Sequence, residues 1–293
     1  MDAEALSELA GYYGPGSITW RLDREAILSV GGSRAVLMQL AHPLVAAGVS
    51  QHSVYASDPY GRWRRTFVLS QALVFGTRSQ ARQAAQTINH RHQPVRGTLD
   101  TSTGAFASGA AYQARDPALL FWVHATLVDT ILYLYPLLIA PLAPAEQETY
   151  YQESLRSVRL LGLPPDYAPP TLAAFHDYMH TMLTGDCLAV TPAARELAAL
   201  VQHPPMLPAA WPLFEAISKI TIGLLPTCLR EQYGYRWGKV QQHLFDAWVR
   251  ITKRTIQRLP PRLREFSTAR AAEQRIRRAL HEEDRTQMLS AAR

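Results

Sequence analysis

The chain has 293 residues, 47% of them hydrophobic and 18% charged, with a formal net charge of +6. That content supports a large core and excludes a disordered chain, while only two cysteines, Cys187 and Cys228, exclude a disulfide framework and any C-x-x-C zinc or haem-attachment motif. All but Lys219, Lys239 and Lys253 of the 30 basic residues are arginines, and the basic excess gathers between Arg250 and Arg285; no nucleic-acid motif accompanies it, so nucleic acid is not an expected partner, whereas contact with a membrane surface stays open.

The N-terminus, MDAEALSELAGYYGPGS, is acidic and does not read as a secretory signal. With two reduced cysteines, the expected location is the cytoplasm. Helical periodicity dominates, no run alternates as a strand, and no linker is long enough to split the chain, so the expected fold class is all-α, one helical domain over residues 1–293. A first helix should run from Asp23 toward Ser50, interrupted or kinked at Gly31-Gly32, and a loop, AGVSQHSVYASDP, should follow. Asp58-Pro59 then marks a helix start, because Asp caps free amides and Pro suits the first turn; that helix should extend through Gly76. A third helix covers Ser79 to His92 and stops before Pro94. Residues 95–112, rich in Gly, Ser and Thr, read as a loop.

Asp116-Pro117 repeats the start signal and opens the most apolar stretch, Leu119 to Ala143. It is long enough for a bilayer, but His124, Asp129, Pro136 and Pro141 interrupt it, and an aspartate at mid-helix costs roughly 2.5–3.5 kcal/mol in lipid. A buried core helix is the expectation, not a membrane span. A fifth helix runs from Pro144 to Leu161 and ends at Gly162. Later helices are expected near 169–184, 192–202, 208–225, 236–257 and 267–283, with Pro204-Pro205, Pro226 and Pro260-Pro261 between them.

Five of the ten histidines, His42, His52, His90, His92 and His124, fall within the first 124 residues. Histidine suits both iron ligation and proton transfer near neutral pH. On the second helix Arg62, Arg65 and Thr66 share one face, a pattern that suits a dianionic ligand or a solvated charged surface. Of His90 and His92, two residues apart, at most one should face a shared pocket. His124 and Asp129 read either as a polar pocket lining or as a hydrogen-bonded structural pair. His176 and His180, one turn apart on a later helix, are an alternative zinc or iron pair, although the H-E-x-x-H motif and the Glu-x-x-His pairs of di-iron bundles are missing.

The segments GPGSITWRLDRE, GGSRAVLMQLAHPLVAAGVSQHSVYASDPYGRWRRT, HQPVRG, ARDPALLFWVHATLVD and LPPRLR, in this order, resemble the bacterial rubber oxygenase family, which includes latex clearing protein and the MpaB-like oxygenases. The likeness extends over most of residues 14–165 and returns near 259–264. It implies a globin-like helical core, about residues 14–190, that holds non-covalent haem b, with the basic helices of 236–293 packed on it. It also implies dioxygen and a small apolar, unsaturated substrate as partners, with an electron donor of unspecified kind. The family's Arg-x-x-Lys-Thr helix motif is matched here at Arg62 and Thr66, and its axial histidine by His92 in His-x-x-Val-x-Gly, with His90 the close rival. Arg62, His124 and His90 join His92 as expected cofactor contacts.

Two departures bear on the chemistry. Arg65 stands where the rubber cleavers carry lysine, and arginine neither loses its proton nor coordinates iron, so the distal iron position should be empty, water-bound or capped by another group. The upstream glutamate that serves those enzymes as base has no counterpart, since Ala26 to Ser57 contains no acidic residue; His42 and His52 are the proton-transfer groups there. Polyisoprene is therefore a doubtful substrate. The readings that compete with a haem oxygenase are a haem-free metal enzyme using His176 and His180, and a non-catalytic lipid- or haem-binding protein.

Overall fold

The computed structural model describes residues 3–52, 59–203 and 210–291. Among the described residues the regular structure is helical apart from one short hairpin and two isolated bridges, so the all-α expectation holds. The chain begins with α1 (Ala3–Ala10) and α2 (Ile18–Asp23), followed by a 3-10 turn (Ala26–Gly31), α3 (Gly32–Leu40) and α4 (Pro43–His52). Then come α5 (Pro59–Phe75), α6 (Arg78–His92), strands β1 (Arg96–Thr98) and β2 (Ala111–Gln113), and the long α7 (Pro117–Leu138). The rest is α8 (Pro144–Leu160), α9 (Leu172–Thr184), α10 (Pro192–Gln202), α11 (Trp211–Leu224), α12 (Thr227–Gln232), α13 (Lys239–Ile256), α14 (Pro261–Arg264) and α15 (Ser267–Ala291).

α7 is the axis of the core. Its start is the one its sequence prescribes: Asp116 accepts a hydrogen bond from the Ala118 amide at 2.8 Å, with Pro117 in the first turn. It is long and apolar enough to cross a membrane, but most of that apolar window is buried within the protein, against α3, α8 and α13. At its far end the last carbonyls of α7 have no amide of the helix to accept from, and the α13 end meets two of them: Lys253 Nζ donates to the Pro136 oxygen and Gln257 Nε2 to the Ile139 oxygen, both at 2.9 Å.

The α3–α7 contact is tight because Gly31 permits it; a Cβ there would sit 2.4 Å from both Leu134 Cδ1 and Thr130 Cγ2. One buried cation crosses this contact. Arg34, 4% exposed, donates to the Leu224 carbonyl at 2.9 Å, to Thr130 Oγ1 at 2.5 Å and to Asp129 Oδ2 at 2.7 Å. Asp129 thus belongs to a satisfied ion pair that joins α3, α7 and the end of α11.

Three expectations require correction. The helix from Asp23 to Ser50 is a 3-10 turn, α3 and α4; the interruption expected at Gly31-Gly32 is there, where the turn ends and α3 begins, but the chain also breaks before the turn and after α3. Glu25 leaves helical geometry to form an antiparallel bridge with Glu265, and α3 closes at Leu40 before Pro43 opens α4; Pro43 has no amide to donate back to the turn before it. Residues 47–52, placed in a loop, are the last turns of α4. The segment 95–112 is likewise not only loop, since Arg96 pairs with Gln113 and Thr98 with Ala111. The Asp58 cap lies outside the described residues.

The C-terminal helices close the molecule over its N-terminal part. Glu25, 1% exposed, pairs with Arg264 at 2.9 Å, and Arg24 pairs with Glu265 at 3.3 Å. Burial pushes the Glu25 carboxyl above its ordinary value, and the Arg264 and Arg24 charges oppose that rise. The segments GPGSITWRLDRE and LPPRLR, far apart in the chain, therefore meet in the fold. α15 lays Ala269, Ala272 and Ile276 over Trp20 and Phe75.

Candidate functional site

α5 and α6, linked through Gly76 and Thr77, pack along each other. Thr77 and Gln80 form a capping box that fixes where α6 begins, and His92 is its last residue. Just beyond, the Val95 amide donates to the His92 carbonyl at 3.0 Å, and the Ala114 amide to the Val95 carbonyl at 2.9 Å. The hairpin thus carries the chain back so that Arg115 and Asp116, at the start of α7, return to the end of α6.

The His92 ring is half-buried, and its Nδ1 is buried with no hydrogen-bond partner among the described residues. Burial lowers its pKa first, and the positive charges of Arg115 and Arg62 lower it further. The imidazole is therefore neutral at pH 7, with a lone pair available. A buried ring nitrogen without a protein partner is uncommon, since buried polar atoms are nearly always satisfied. It fits a ligand to iron, and two guanidinium groups beside it fit the carboxylates of a haem. His90, two residues earlier, is exposed.

His42 occupies the break between α3 and α4. It is 6% exposed, its ring centroid lies 5.1 Å from that of Phe106, and its Nδ1 is also buried without a partner among the described residues. Burial lowers its pKa to about 4, against the pull of the Asp116 carboxylate. His52 ends α4, exposed, with Nε2 3.1 Å from the Arg96 carbonyl and its ring 6.3 Å from Tyr112. The Tyr112 hydroxyl donates to Gln51 Oε1 at 2.5 Å. A cavity of about 330 Å³ lies against this side, lined by Ala111, Tyr112, Gln113, Arg115, Asp116 and Pro117, within the range of small-molecule sites. A larger one of about 440 Å³, bordered by Arg21, Arg24, Glu146 and Glu153, has none of these histidines in its wall.

Of the three residues expected on one face of α5, Arg62 and Arg65 are half-buried and Thr66 is exposed. Arg62 is the one whose charge reaches His92. His124 lies deeper along α7. Ser154 Oγ donates to the Tyr151 carbonyl at 2.7 Å, so its lone pair accepts from His124 Nε2–H at 3.2 Å. That contact sets the tautomer and leaves Nδ1 as the free lone pair; burial holds the pKa at about 4. His176 and His180 are exposed on α9, and among the described residues no three His, Cys, Asp or Glu side chains gather for a metal ion.

Sequence reasoning passed over Arg115, Asp116 as a charge near His42, and Tyr112. Asp116 was visible only as a helix cap. Arg115 is one arginine among many, and its approach to His92 depends on hairpin closure, for which a Gly/Ser/Thr-rich segment carries no clear signal.

Residues 19–254 match the catalytic-domain model described as ER-bound oxygenase mpaB/B'/rubber oxygenase. Two curated relatives, uncharacterized proteins of Mycobacterium bovis and Mycobacterium tuberculosis, are each 30% identical over 234 residues, spanning 77% of this chain and 87% of the relative. No solved structure matches.

Proposed function

Because the chain belongs to the MpaB and rubber oxygenase catalytic-domain family, and so has a general oxygenase role, we propose that it is a haem-b-dependent oxygenase acting with dioxygen on a small, apolar, unsaturated substrate. The observation that carries this reading is the buried Nδ1 of a neutral His92, without a partner among the described residues and under the charges of Arg62 and Arg115.

In this reading His92 would hold the haem iron, and a globin-like setting of the surrounding helices belongs to the same proposal. Arg62 and Arg115 would offer their guanidinium groups to the propionate carboxylates, and Arg65 stands one turn on from Arg62 along α5. Haem b, when bound, supplies the iron at which dioxygen is activated. The protein supplies the rest. His42, neutral at pH 7, accepts or passes a proton at Nδ1, and His52 does so nearer solvent. Thr66 offers its hydroxyl on the open side of α5. The apolar walls of α7 and the Phe106 ring keep water from the substrate. Both cysteines are unpaired, which suits work in the reducing cytoplasm.

The test is an absorption spectrum with pyridine haemochrome quantification on freshly prepared protein. A Soret band is expected in wild type and in His90→Ala, and His92→Ala should lose it while keeping its helical circular dichroism. An unchanged spectrum in His92→Ala, or a wild type that takes up no haem when titrated with it, defeats the proposal.

A further inference from the structure

The outer side of α13 has a sharply divided surface. Val240, Leu244 and Ile251 are 68%, 67% and 63% exposed, and their spacing of four and seven residues sets them in one row along the helix. Isolated exposed aliphatics are ordinary on protein surfaces, whereas a continuous row of them is not. Beside this row runs a second, also exposed, of Lys239, Arg250 and Arg254. The helix has one carboxylate, Asp246, half-buried and held by Gln242 Nε2 at 2.8 Å. The opposite face is committed to the protein through Phe245, Ile256 and the Lys253 contact to the Pro136 carbonyl.

We propose that α13 docks the protein on an anionic lipid surface, its aliphatic row entering the headgroup boundary and Lys239, Arg250 and Arg254 lying against lipid phosphates. An apolar row flanked by cations on a helix lying flat is the arrangement an interfacial helix uses, and each basic side chain near an anionic bilayer adds to the attraction. A second copy of the chain fits this face less well. A symmetric contact sets basic row near basic row with no exposed carboxylate on α13 to answer it, and three aliphatic side chains fall far short of the roughly 800 Å² per partner of a stable interface. Docking at the periphery differs from spanning, for which α7 is already committed to the core.

The experiment is flotation of the full chain with vesicles of phosphatidylcholine alone and of phosphatidylcholine mixed with phosphatidylglycerol. Binding to the mixed vesicles that weakens as salt rises is expected. Leu244→Ser with Ile251→Ser should lower binding about tenfold or more, and Arg250→Gln with Arg254→Gln roughly thirtyfold; both pairs lie on the exposed face, and circular dichroism checks that each variant stays folded. Failure to float with the mixed vesicles, equal binding to neutral ones, or a dimer in size-exclusion chromatography that Leu244→Ser dissociates overturns the proposal. Flotation needs no haem, so this result and the Soret result stand or fall separately.

Discussion

Two polar regions of the interior are built on opposite terms. Where α3 crosses α7, the buried Arg34 guanidinium donates to a carboxylate, a hydroxyl and a carbonyl. Where α6 ends and α7 begins, His92 and His42 each bury a ring nitrogen with no partner among the described residues, and the charges acting on His92 are both positive. The first region uses its polar groups to fix helices in place. The second carries polar groups whose bonding capacity is unspent, an arrangement that costs stability unless a ligand completes it.

The contrast can be broken at its strong side first. Arg34→Met should cost about 3–4 kcal/mol in urea unfolding, because it leaves Asp129 and the Leu224 carbonyl without their donor, and should leave the position of any haem band unchanged. A loss below about 1 kcal/mol would show that the pair does not anchor the α3–α7 contact.

His42→Asn probes the other side through pH. The folded pKa of His42, about 4, lies below its ordinary 6.5, so between those values the unfolded chain binds more protons and stability falls as pH falls. The contribution is intact above 6.5 and gone below 4, about 3 kcal/mol in all. The variant should unfold at nearly the wild-type denaturant concentration at pH 7 and lose less than wild type at pH 4.5. Parallel losses in the two proteins would place the acid sensitivity elsewhere. The smallest effect is expected from Arg115→Gln, which should let the His92 pKa climb back toward 6.5 in an NMR titration of the haem-free chain, with stability unchanged within about 0.5 kcal/mol. An unmoved His92 would separate Arg115 from the site.

Helix starts with local chemistry were legible from the sequence. Asp116-Pro117 opens α7 as expected, and the expected bounds of α10, 192–202, agree with the structure, where Thr191 caps it. The interruption at Gly31-Gly32 was legible as well, whereas the break at Glu25 was not, because it answers to distant partners, Glu265 and Arg264. The site divides in the same way. Arg62 and His92 carry motif spacing and the structure sets them near each other. Arg115 reaches them only through hairpin pairing, and the tautomer of His124 depends on Ser154, thirty residues on.

The closure of the C-terminal helices over the N-terminal part sets the smallest piece of this protein worth expressing. The family match stops at residue 254, yet Arg264 lies beyond it, and so do the α15 side chains that roof Trp20 and Phe75. A chain trimmed to the match would strand the Glu25 carboxylate in an apolar setting and bare the back of α5, the helix that presents Arg62. Truncation at the family boundary would thus damage the Arg62 and His92 side of the molecule from behind, without removing either residue.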